Sequence, residues 1–91
     1  MIMVDELIRW PTKIRCFLNG SCHLTVDGPL DELHVFAERI GLRREWFQNT
    51  RGCPHYDLTP SRREAALAAG AVFVSGREQA RKRIAARQEA K

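Results

Sequence analysis

The chain has 91 residues, 44% of them apolar and 29% charged, a balance that fits one small globular domain and excludes both a disordered chain and a second core. No apolar run approaches the roughly 18 residues that a bilayer crossing needs. Asp5 and Glu6 stand where an export signal wants positive charge followed by a long apolar stretch, so the expectation is a cytoplasmic domain with no membrane partner. The net charge of +4 belongs to the tail, because nine basic and nine acidic side chains balance through Gly70, whereas residues 71–91 carry six basic and two acidic.

In chain order, MIMV reads as a first strand ending at Asp5. A second apolar stretch, IRCFL, leads through Asn19-Gly20, a hairpin turn signal, into CHLTV. Two layouts follow: IRCFL pairs with CHLTV, or the N-terminal strand does. Asp27-Gly28-Pro29 then opens a helix with Pro29 at its first position, Asp31 and Glu32 in its first turn, and Leu30, Leu33, Phe36, Ala37 and Ile40 on one face; Gly41 closes it.

LRREWFQNTRGCP has no clean period and is expected to lay Trp46 and Phe47 over an edge of the core. Thr59 caps a second helix that begins at Pro60 and ends at Gly70; AVFV is a short strand after it. GREQARKRIAARQEAK suits either contact with a nucleic-acid backbone or a solvated helix, and it interleaves no aromatic for base stacking. The expected fold is α/β: a small sheet of three to four short strands covered by two or three helices. Residues 1–75 form the domain and 76–91 a basic helical extension. A chain of this size leaves much of its surface free, which allows a homodimer.

The chemistry concentrates between Asp5 and Arg63. His55 and Asp57 flank Tyr56, so an extended backbone sends both to one side, as suits an imidazole acting with a carboxylate. Asp5 and Asp27 each follow a strand and are expected to share a rim with them. Asp5, Asp27, Asp57 and His55 therefore form a candidate set for magnesium, manganese or zinc. Arg62 and Arg63 fall at the third and fourth positions of the second helix, where positive charge is unfavourable unless an anion is nearby. They are expected to hold phosphate, with Arg63 neutralising developing charge. His23 and Gln48 would orient the ligand, and Trp46 would form an aromatic wall.

His34, inside the first helix, reads as a hydrogen-bonded histidine of the packing. Cys16, Cys22 and Cys53 are an odd set without zinc-finger spacing and read as free thiols. There is no Gly-Lys-Ser or Gly-Lys-Thr phosphate loop, dinucleotide glycine fingerprint, H-E-x-x-H site or nucleophile elbow.

IMVD, SCHLTVD, DELHVFAERIGLRREWFQ and HYDLTPSRREAALAAGAV together resemble the blocks of a DUF4031-like family of small bacterial and phage proteins, over most of Met1 to Ser75. The resemblance implies one compact domain and shared positions that add Arg39 and Tyr56 to the candidate ligand-binding residues; it carries no activity. The expectation from the residues is a site for a phosphate-bearing ligand, a nucleotide or a nucleic-acid end, with metal-assisted phosphoester hydrolysis by His55, Asp57 and Arg63. The rivals are a nucleotide- or anion-binding module without turnover and a protein-interaction module.

Overall fold

The computed structural model describes residues 1–9, 19–50 and 52–89. Strand β1 (Ile2–Val4) is followed by β2 (Cys22–Val26), helix α1 (Leu30–Arg39), a 3-10 turn (Arg44–Trp46), β3 (Gln48–Thr50), β4 (Cys53–Leu58), α2 (Pro60–Ala68), β5 (Val72–Phe73) and α3 (Gly76–Glu89). The fold is a small α/β one, as expected, but its sheet has five strands rather than three or four, in the order β3-β4-β2-β1-β5. β1 and β5 run parallel; the other neighbours are antiparallel. Of the two layouts, the one pairing β1 with β2 is present. The stretch 14–18 and Trp10 lie outside the described residues.

The two faces of the sheet follow from the period of two in its strands. Val4, Cys22, Leu24, Tyr56 and Leu58 point to one face and pack with Leu33, Phe36 and Ala37 of α1 and Ala66 of α2 in the core. Leu24, Leu33 and Leu58 are fully buried, and each contributes on the order of 2 kcal/mol of transfer free energy. The alternate residues, Asp5, His23, Thr25, His55 and Asp57, point to the opposite face, which is polar.

Helix α3 lies over part of that polar face although it lacks an apolar stripe. A buried polar side chain anchors it: Gln79 accepts from Thr25 Oγ1 at 2.7 Å and donates to the Val74 carbonyl at 2.8 Å. An amide that satisfies its carbonyl oxygen and one of its two N–H groups in this way can be buried at little cost.

The helix ends place the loops around the site. Thr59 Oγ1 accepts from the Arg62 amide at 3.3 Å with Pro60 in the first turn, as the sequence predicts. Pro29 sits at the cap position of α1 with extended backbone rather than at the first helical position. Gly41 ends the α1 region at φ 85, a conformation open to glycine, and a Cβ there would stand 3.1 Å from an Arg62 guanidinium nitrogen. No helix among the described residues is long and apolar enough to cross a membrane.

Candidate metal centre

The central pair of strands sets the geometry. His23 on β2 lies opposite Asp57 on β4 in the antiparallel register, and His55 stands two residues before Asp57 on the same face. One ligand atom from each of His23, His55 and Asp57 lies within 4.8 Å of the others. The Nε2 atoms of His23 and His55 are 4.0 and 3.6 Å from Asp57 Oδ1, and the two rings meet edge to face with centroids 5.0 Å apart.

Each of the three side chains is held by its far atom. Asp5 takes His23 with both oxygens: Oδ1 accepts the His23 backbone N–H and Oδ2 stands 2.7 Å from Nδ1. His55 Nδ1 lies 2.8 Å from the Cys53 carbonyl oxygen. A carbonyl only accepts, so Nδ1 carries the hydrogen and Nε2 the lone pair. Gln48, reaching across from β3, donates from Nε2 to Asp57 Oδ2 at 2.7 Å. What remains facing inward is two imidazole nitrogens and one carboxylate oxygen, all acceptors.

Three lone-pair atoms converging at these separations suit a hydrogen-bond donor or a positive charge among them. In the metal-free protein the His23 pKa is raised above its ordinary 6.5, chiefly by the hydrogen bond to Asp5, against the opposing effect of burial and with further attraction from the Asp5 and Asp57 charges, so the site favours the protonated ring. A divalent ion fits the same place. Two imidazoles and a carboxylate are a donor set for zinc and similar ions, and outer partners that fix ring tautomer and orientation are characteristic of such centres.

Two hollows border this centre. The smaller, about 240 Å³, is lined by Asp5, His23, His55, Gly76, Gln79 and Arg83 among others, so α3 supplies one wall. Arg83 is close enough for its charge to work against protonation of His23. The larger, about 500 Å³, is lined by Leu42, Glu45, Trp46, Gln48, Asp57, Thr59 and Arg62. Asp57 is thus a wall of the larger hollow and a member of the cluster. The Arg62 guanidinium is fixed by a 3.0 Å hydrogen bond to the Ile40 carbonyl and lies 5.6 Å from the Trp46 ring centroid.

Several sequence-predicted residues stand elsewhere. Asp5 is near the cluster, but both of its oxygens are engaged by His23, so it orients the His23 ring and stands outside the converging set. Asp27 does not share the rim. In the antiparallel β1–β2 pair it lies beside Met1, its amide bonded to the Met1 carbonyl and its carboxylate 3.8 Å from Lys82. That is about 13 Å along the strand from His23.

Arg63 turns to the main chain, donating from Nε to the Asp5 carbonyl at 3.2 Å with its guanidinium 5.7 Å from the Phe73 ring centroid, and it lines neither hollow. Tyr56 is in the core, 1% exposed, its hydroxyl 2.8 Å from His34 Nδ1; His34 is the packed, hydrogen-bonded histidine expected. Arg39 is exposed in the last turn of α1 and lines neither hollow.

His23 moves from orienting the ligand to the cluster itself. The alternation of CHLTV carried that signal, since it sets His23 off the apolar face shared by Cys22 and Leu24. Nothing in the sequence singled out Arg83, Leu42 or the Cys53 carbonyl. Cys22 and Cys53 are free, and burial first, then the Asp5 charge, pushes the Cys22 thiol up to about 12, which removes it as a nucleophile.

A family model described as "Protein of unknown function (DUF4031)" matches residues 2–87. The match takes in most of α3 and so runs beyond the Met1–Ser75 span of the resembling blocks. No curated protein and no solved structure matches the chain.

Proposed function

We propose that this chain, which belongs to the DUF4031 family, binds a divalent transition-metal ion through His23, His55 and Asp57 and hydrolyses a phosphoester there. The observation that carries the reading is the convergence of three lone-pair atoms whose side chains are each tied back by Asp5, the Cys53 carbonyl or Gln48. The nearest point equidistant from the three atoms lies in their plane, about 2.5 Å or less from each at these separations, against roughly 2.0–2.2 Å in a bonded zinc site. Small side-chain shifts close that difference.

When bound, such an ion supplies Lewis acidity at a phosphoryl oxygen and lowers the pKa of a water. The chain's own groups set the rest. Asp5 and the Cys53 carbonyl keep both imidazoles in the tautomer that turns Nε2 inward, and Gln48 keeps Asp57 Oδ1 turned toward them. Arg83, exposed and lining the smaller hollow, has no carboxylate partner among the described residues and suits the phosphoryl oxygens. In the reaction, water oxygen bonds to phosphorus, the ester oxygen departs, and the water's proton ends on the alcohol released.

The test joins elemental analysis and calorimetric titration of zinc, manganese and magnesium to turnover of p-nitrophenyl phosphate and bis(p-nitrophenyl) phosphate by the metal-loaded protein. One equivalent of zinc or manganese with release of p-nitrophenol is expected. Absence of stoichiometric binding up to millimolar ion removes the reading. Stoichiometric binding without turnover removes the hydrolysis and leaves metal binding alone; retention of a nucleotide by the metal-free protein without product favours the non-catalytic nucleotide- or anion-binding module, which the placement of Arg62 and Arg83 also supports.

A further inference from the structure

The metal centre makes no use of the larger hollow, although Asp57 and Gln48 belong to both. Its volume of about 500 Å³ falls within the range of small-molecule sites. Its apolar lining is the buried Leu42, which serves as floor, and the ring of Trp46, 44% exposed and within cation–π reach of both Arg43 and Arg62. Its rim is polar on several sides: Glu45, Thr59 and Gln48, whose amide nitrogen is committed to Asp57 and whose carbonyl oxygen is left to accept.

An apolar floor with an aromatic plate takes a flat ring, and a rim of donors and acceptors takes a ring with polar edges better than a hydrocarbon one. Asp57 separates this ring site from the centre, with Oδ2 bonded to Gln48 on the hollow side and Oδ1 beside the two histidines. A ligand that spans the two places must carry a heteroaromatic ring at one end and phosphate at the other, with a short polar connector between.

We infer that the larger hollow is the base subsite of a mononucleotide: the heteroaromatic base stacks on Trp46 between Leu42 and Arg62, and the sugar carries the phosphate past Asp57 to the cluster. This rests on the hydrolase reading for the role of the phosphate, but the base subsite is tested apart from it. The full-length protein, stripped with EDTA so that no turnover occurs, is titrated calorimetrically with AMP, ribose 5-phosphate and phenyl phosphate.

AMP is expected to bind at least about ten-fold tighter than either of the others, and Trp46→Ala to lose roughly that factor for AMP while leaving ribose 5-phosphate unchanged. Circular dichroism of the variant checks its fold, and Trp46→Phe, which keeps a ring, is expected to retain most of the AMP affinity. AMP binding no tighter than ribose 5-phosphate, phenyl phosphate binding as tightly as AMP, no binding at all, or an AMP affinity unmoved by Trp46→Ala overturns the inference. Zinc titrated into the same preparations separates the two claims. Zinc binding without base preference removes only the subsite, and base preference without zinc binding removes only the hydrolase.

Discussion

Asp5 grips His23 at two points, the backbone N–H through Oδ1 and the ring Nδ1 through Oδ2, each at 2.7 Å. The carboxylate lies at the end of β1 and the imidazole on the adjacent β2, so strand pairing itself fixes the ring. Asp5→Asn is expected to lower the raised His23 pKa toward 6.5 and to weaken zinc binding by about 10–100-fold. A histidine NMR titration and calorimetry read the two effects, and an unmoved His23 pKa with unchanged zinc affinity counts against the orienting role.

The same raised pKa gives a pH dependence with a definite sign. Because His23 holds its proton more tightly in the folded metal-free protein, its contribution to stability is complete below about 6.5 and is lost as pH rises through the higher folded value. Zinc competes with that proton, so zinc affinity should rise over the same window. Thermal melts with and without zinc at a series of pH values measure both, and the zinc-induced gain in melting temperature should grow with pH.

Removing a cluster member should cost more than removing its support. His55→Gln and Asp57→Asn are each expected to reduce zinc affinity by on the order of a hundred-fold or more. Asp27→Ala should leave it unchanged, since the antiparallel register carries Asp27 to the opposite end of β2. Equal losses for Asp27→Ala and Asp57→Asn in zinc calorimetry would show the ligand set to be wrong.

In the proposed site, Arg83 would separate recognition of phosphate from recognition of the ion. Arg83→Ala is expected to raise KM for a phosphoester by about ten-fold, the worth of a hydrogen bond to a charged group, and to leave zinc affinity within about two-fold. Steady-state kinetics with zinc calorimetry decides it; an unchanged KM would place Arg83 outside the site.

Tyr56 lies between His55 and Asp57 in sequence but faces the core. Tyr56→Phe removes the hydroxyl that meets His34 and is expected to cost about 1–3 kcal/mol in urea unfolding, with the buried imidazole left short of a partner. Zinc affinity should stay unchanged.

Much of this architecture was legible because local rules and the fold agree. Thr59-Pro60 starts α2, Gly41 closes the α1 region, and alternation across Tyr56 sends His55 and Asp57 to one face. β3 was not legible: Gln48–Thr50 has no apolar residue and is exposed, so only its pairing with β4 makes it a strand. β4 itself, next to β2 near the middle of the sheet, carries Pro54 and two polar site residues, and shows its apolar face only at Tyr56 and Leu58. Strand direction lay beyond local pattern as well. Asp5 and Asp27 follow similar strands, and only the antiparallel pairing of β1 with β2 sets them at opposite ends. The docking of α3 through Gln79 had no signature, since a glutamine in a basic helix reads as solvated.

Asp57 presents one oxygen to the histidines and gives the other to Gln48, a wall of the larger hollow. An occupant of that hollow that draws on the Gln48 amide changes the electron density Asp57 offers an ion, and an ion that pulls on Asp57 changes how firmly Gln48 is held at the rim. Thermodynamic linkage then makes the effect mutual, each ligand altering the other's equilibrium affinity by the same factor. One carboxylate would make this small domain a cooperative binder of two dissimilar guests.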